Sequence, residues 1–187
     1  MDWASQLFNR PIDELLAMAA ALDPISTVPV FLPHLDGERA PLWDAQSRGV
    51  FGGVSAQMGP AHFTLAVLEG VAYSVRWLLD SLQLSAACKP KLIAHAGGGA
   101  RSDVWCQIRA DVLAIPVSRI HNLDAGVAGS AMLAGVGEGL FPTISKAAKT
   151  FVKMDRLFEP RQNLAARHDA GFAKYQLLYQ QLKPLNV

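Results

Sequence analysis

The sequence predicts an α/β protein, with short strands layered against helices. Three observations predict it. Short apolar runs alternate with stretches whose apolar residues repeat at the helical period. One such run, Lys91 to Ala96, ends at three glycines, and a helical pattern starts at once. Of the 187 residues, 51% are hydrophobic and 18% are charged, which supports a buried core and argues against disorder. The length is about one domain's worth, so residues 1–187 are expected as a single domain.

The elements follow in order. Trp3 to Ala21 reads as helix, with Leu7, Leu15, Leu16 and Ala19 on one side and Pro11 breaking or restarting it. Val28 to Leu32 suits a short buried strand. A polar loop from Asp36 to Pro41 leads to a glycine-rich strand over Gly49 to Val54. Pro60 opens a helix to Leu84, as a first-turn proline should, with Phe63, Val67, Gly70, Val71, Ser74, Trp77 and Leu78 as its stripe. Lys91 to Ala96 is a strand, and Ser102 to Leu113 is a helix capped by Ser102 or Asp103. Val117 to Ile120 is a strand. Asp124 to Gly137 is a helix of small residues suited to close packing on a sheet. Phe151 to Met154 reads as the last strand. Gln162 to Lys183 is a long helix with Leu164, His168, Phe172, Tyr175, Leu178, Tyr179 and Leu182 on one side.

Composition excludes several functions. The net charge is +1 and no basic stripe is visible, so nucleic acid is not implied. Cys88 and Cys106 fit no metal spacing and read as reduced thiols. His34, His62, His95, His121 and His168 have no paired spacing either, so no metal ligand is expected, and His95 is read as a hydrogen-bonded strand histidine. The apolar runs are too short to span a bilayer, and the N-terminus lacks the order of a signal peptide. A cytoplasmic protein is expected. Trp43, Trp77 and Trp105 read as packing residues.

The chemistry concentrates at Gly97-Gly98-Gly99-Ala100-Arg101-Ser102. Glycines let backbone approach a ligand, and a helix start adds free N–H groups and partial positive charge. No Gly-Lys-Ser/Thr follows, so this is not a Walker loop. It nearly fits a dinucleotide turn, but Ser102 stands at the third glycine, and the acidic partner would be Asp124. The bland alternative is a tight turn without ligand. Each ordered glycine costs about 0.5–1 kcal/mol relative to alanine, and a bare turn needs only one or two, which favours ligand contact. Further upstream, Gly49 to Glu69 places a glycine-rich strand beside a helix carrying Glu69, which reads as a structural pair.

Four segments resemble the FGGY carbohydrate kinases: Phe31 to Asp44, Gly49 to Glu69, Gly97 to Trp105 continuing to Val117, and Asp124 to Ala131. The resemblance spans residues 28–187, more loosely before that, and its nearest branch is xylulokinase-like. It implies a ribonuclease-H-like, actin/hexokinase-type fold and an ATP-dependent, Mg2+-assisted phosphoryl transfer to a pentulose or polyol such as xylulose. Gly98, Gly99 and Ala100 would face the nucleotide, with Gly97 shaping the turn. Asp103 would lie near the adenosine, or serve as a carboxylate at a helix start. Arg101 reads as solvated. The Asp36–Arg39 loop would face a cleft between domains, or hold a local Glu38–Arg39 network.

The departures set further expectations. A full-length member would be more than twice as long. The first domain, with the sugar site and catalytic aspartate, and the opening strands of the second are expected to be missing, so no catalytic residue is assigned. Asp36, Asp44 and Asp111 are better read as loop or helix-surface carboxylates. Leu65 stands where the family commonly has arginine. The chain would then be an inactive nucleotide-binding half, meeting sugar only through the absent domain and able to dimerise through an open sheet edge. A non-catalytic nucleotide-binding remnant and an NAD-dependent oxidoreductase domain remain as alternatives.

Overall fold

The computed structural model describes residues 1–86, 90–121 and 124–185. Cys88 lies outside them. Helices α1 (Asp2–Phe8) and α2 (Ile12–Ala20) are separated at Asn9, whose φ is 49°, and at Pro11. Strands β1 (Val30–Leu32) and β2 (Val50–Gly52) pair antiparallel with Phe31 opposite Phe51. Helix α3 (Pro60–Ala86) crosses β1 so closely that a Cβ on Gly70 would stand 2.3 Å from the Phe31 carbonyl oxygen.

A second sheet has the order β3-β4-β5. β3 (Ile93–His95) and β4 (Val117–Ile120) are parallel, linked by α4 (Asp103–Leu113) as parallel neighbours require. β5 (Met154–Phe158) joins antiparallel. Between β4 and β5 come α5 (Ala125–Gly137) and α6 (Ile144–Phe151), and α7 (Ala165–Leu182) closes the fold. The main core lies where α3, α4 and α7 meet: Leu65, Leu68, Ala72 and Tyr73 face Ile108 and Val112, and Phe172, Tyr175 and Tyr179 complete it. A smaller cluster of Cys106, Ala110, Val117 and Phe158 joins α4 to the sheet.

Several expectations are corrected. Phe151 ends α6, an element the periodicity did not show, and the last strand starts at Met154. Leu7 is exposed, while Ala4 is the buried residue of α1. The α3 stripe is too narrow, because every residue from Thr64 to Gly70 is buried between neighbours. Helix α5 packs on α6 rather than flat on the sheet. Trp43 is 78% exposed and is no packing residue. Asp111 is buried rather than on the helix surface, because Arg161 neutralises it. Glu38 turns its carboxylate to His34 at 3.3 Å and not to the Arg39 side chain.

Candidate functional site

Strand β3 ends at a turn that only glycine makes cheaply. Gly97 has φ 83° and ψ −173°, a region essentially closed to side chains. The chain then winds one 3-10 turn over Gly98–Arg101, in which the Gly97 carbonyl accepts from Ala100 N–H at 3.1 Å. Ala100 is fully buried and anchors the turn, and its carbonyl receives the Cys106 thiol at 3.5 Å. Ser102 caps α4, accepting the Trp105 N–H on Oγ at 3.2 Å.

Each of the three glycines has its own reason. Gly97 is set by its backbone angle. A Cβ on Gly99 would press on the Trp105 ring at 3.1 Å. A Cβ on Gly98 would meet nothing within 4 Å, because Gly98 borders open space. That space is a cavity of about 590 Å³ lined by Gly98, Gly99, Arg101, Ser102 and Trp105 on one wall. Met1, Asp2, Ile12, Asp13 and Leu16 form the other. The size lies in the range of small-molecule sites. One wall offers backbone and a helix start, the setting for an anion; the other offers two carboxylates.

The structure brings Gly98 and Gly99 to the cavity and sets Gly97 and Ala100 behind them as its frame. Asp103 points elsewhere. Its carboxylate binds Arg119 Nη1 at 2.7 Å and also Arg156, and it lines a separate cleft with Val104, Gln107 and Phe158. Arg101 is exposed, as expected, but at the cavity rim. His95 is buried, with Nδ1 3.5 Å from the Cys106 sulfur. Burial, with Arg109 nearby, pushes its pKa down to about 4, so it is neutral at pH 7.

Sequence reasoning missed the α1–α2 wall. Its signal was the spacing of Ile12, Asp13 and Leu16 on one helical face. It also missed His34, which is wholly buried with Nδ1 2.7 Å from Ser47 Oγ and Nε2 3.0 Å from Tyr175 OH. Asp44 and Glu69 have structural partners. Asp44 accepts from the Gln46 and Ser47 amides and from Tyr179 OH at 2.9 Å. Glu69 pairs with Arg167 at 2.6 Å, and the second Arg167 nitrogen donates to Ser26 O at 3.1 Å. No group of three or more His, Cys, Asp or Glu side chains gathers to hold a metal among the described residues. No helix among them is long and apolar enough to cross a membrane.

Comparison with known proteins agrees with this architecture. The chain is 35% identical over its full length to a xylulose kinase of Staphylococcus epidermidis, of which it covers 38%. It superimposes on a xyloylose kinase of Brucella ovis with a TM-score of 0.88 at 31% identity, over 98% of this chain and 38% of that one. A ligand-bound xylulose kinase of Lactobacillus acidophilus gives 0.85 at 28% identity, over 97% and 37%. The chain thus spans under two fifths of the proteins it matches. The fold is that of the actin/hexokinase-type kinases. Residues 1–138 match the C-terminal domain of the FGGY family of carbohydrate kinases, and the chain belongs to that family.

Proposed function

We propose that this chain forms the nucleotide-binding part of an ATP-dependent kinase that phosphorylates a pentulose such as xylulose. The observation that carries the reading is the cavity beside Gly98, where a glycine with no steric need of its own borders open space at a helix start. Similarity to xylulose kinases over the whole chain supports the sugar class.

The residues present suit the cofactor. Gly98 and Gly99 would let phosphate oxygens reach the main chain, and the first turn of α4 would add its partial positive charge. Asp2 and Asp13 on the facing wall suit hydroxyl groups better than phosphates. ATP, when bound, supplies the phosphoryl group. Magnesium commonly keeps several waters and few protein ligands beside substrate phosphates, so it would be held chiefly by the ATP itself. Gly97 and Ala100 hold the turn rigid, so the site is formed before ligand arrives. The sugar site and the base that takes the hydroxyl proton are assigned to kinase polypeptide outside the matched region.

Calorimetric titration with ATP, ADP and NAD tests this. We expect binding of ATP and ADP, and its loss in Gly98→Val with thermal unfolding unchanged. Binding of NAD alone would favour the oxidoreductase reading, and binding of none of them would overturn the nucleotide site.

A further inference from the structure

We propose that the cleft framed by α2, α4 and α7 is a binding site for a short aliphatic carboxylate, whose head accepts from His168 Nε2. The inference is independent of the nucleotide reading, because no residue lines both this cleft and the cavity beside Gly98.

The shape supplies the first argument. The cleft has a volume of about 280 Å³, just under the usual range of small-molecule sites, which suits a ligand smaller than a nucleotide. Leu65 of α3, Ile108 of α4 and Leu164, just before α7, are buried and give it an apolar floor. Ala20 and Arg156 stand at its exposed rim.

His168 supplies the second argument. It lines the cleft and is only 3% exposed. Its Nδ1 faces away, 3.4 Å from Arg167 Nη1 and 3.5 Å from Tyr73 OH, and neither of those residues lines the cleft. A guanidinium nitrogen can only donate, so Nδ1 keeps its lone pair. Burial, with the Arg167 charge beside it, holds the ring neutral at pH 7. The one ring proton is therefore assigned to Nε2, on the edge of the ring turned to the cleft. No group among the described residues accepts from Nε2. A buried donor without an acceptor is costly, so this one calls for a partner from the cleft itself.

The surroundings define that partner. Arg161 gives Nε and Nη2 to Asp111 Oδ2 at 3.0 and 2.7 Å, which leaves Nη1 over, and its charge reaches His168. Arg156 brings a second guanidinium, bound on one side to Asp103. Both acids that line the cleft are already engaged: Glu69 by Arg167 at 2.6 Å, and Asp103 by Arg119 and Arg156. Two cations and an unmet N–H thus face the space, and an anionic acceptor answers them better than a neutral one. A water molecule would satisfy Nε2 but would leave Leu65, Ile108 and Leu164 wet. A short hydrocarbon tail would cover them. Inorganic phosphate has the charge and lacks the tail.

The test titrates the unsubstituted protein with sodium pentanoate, and with pentan-1-ol and inorganic phosphate as controls, while NMR follows the imidazole nitrogens of His168. We expect the free protein to carry its ring proton on Nε2 and pentanoate to shift that signal saturably. Pentanoate should bind about tenfold more tightly than pentan-1-ol, a difference of ~1.4 kcal/mol, and phosphate should give no saturable response. His168→Phe should lose pentanoate. Ala20→Trp, at the exposed rim, should block it without lowering the unfolding temperature. ATP affinity should be unchanged in Ala20→Trp, so failure here and failure of the nucleotide site are told apart. A ring proton on Nδ1, no saturable shift, equal binding of the alcohol, or full binding by Ala20→Trp would each overturn the proposal.

Discussion

His34 and Tyr175, 141 positions apart, meet at 3.0 Å inside the protein and tie the loop after β1 to helix α7. With Ser47 Oγ on the other imidazole nitrogen, His34 has both ring nitrogens engaged and no exposure to water. Burial lowers its pKa, and burial lowers those of His95 and His168 to about 4.

The sign of the pH dependence follows. All three histidines are neutral when folded at pH 7 and titrate near 6.5 when unfolded, so the unfolded chain binds more protons below that point. The contribution of His95 and His168 is fully present above pH 6.5 and is lost as pH falls toward 4, by up to about 1.4 kcal/mol per histidine per pH unit, and His34 acts in the same direction. Denaturant midpoints measured from pH 7.5 to 4.5 should fall, and His168→Phe should flatten the slope. A flat profile in the unsubstituted protein would contradict the account.

Gly70 should tolerate no side chain. Its absent Cβ faces a main-chain oxygen at 2.3 Å, which no rotamer change relieves. Gly70→Ala is expected to cost about 3 kcal/mol or to prevent folding, read by thermal unfolding of the purified protein.

The three turn glycines should separate in one experiment. Gly97→Ala is expected to lose about 1–3 kcal/mol of stability from its backbone angle. Gly98→Ala should leave stability nearly unchanged and weaken ATP binding. Gly99→Ala should shift the Trp105 fluorescence. Equal effects on stability at all three would refute their division of labour.

Asp103 and Asp111 should also differ. Asp111 is wholly buried and receives the Arg161 N–H at 2.8 Å, Nη2 at 2.7 Å and the Gln107 amide at 3.0 Å. Asp111→Ala should cost about 3 kcal/mol. The Asp103 side chain is 48% exposed, so its arginine pairs are screened, and Asp103→Ala should cost no more than about 1 kcal/mol. ATP affinity should change less in Asp103→Ala than in Gly98→Val, because Asp103 lies in another cleft.

Local patterns were legible and distant partners were not. The strand read over Lys91 to Ala96, the turn at Gly97 and a helix cap at Ser102 or Asp103 follow from neighbours along the chain; the strand forms over Ile93–His95 and Ser102 is the cap. Helix α3 misled because an amphipathic stripe presumes one wet face, whereas Thr64 to Gly70 is covered on all sides. His34 was silent because Tyr175, which explains it, comes so much later in the chain. Asp103 drew attention by sitting beside the glycines, but its direction is set by Arg119 and Arg156 on strands that lie nearby only after folding. The open space at Gly98 needed α1 and α2 as its far wall.

Helix α7 comes last, yet Phe172, Tyr175 and Tyr179 fill the center of the main core. Tyr73 and Trp77 therefore leave the ribosome long before Tyr175 and Tyr179, which pack against them. The nascent chain must wait with that aromatic surface open, and chaperone demand should fall sharply once residue 182 clears the exit tunnel.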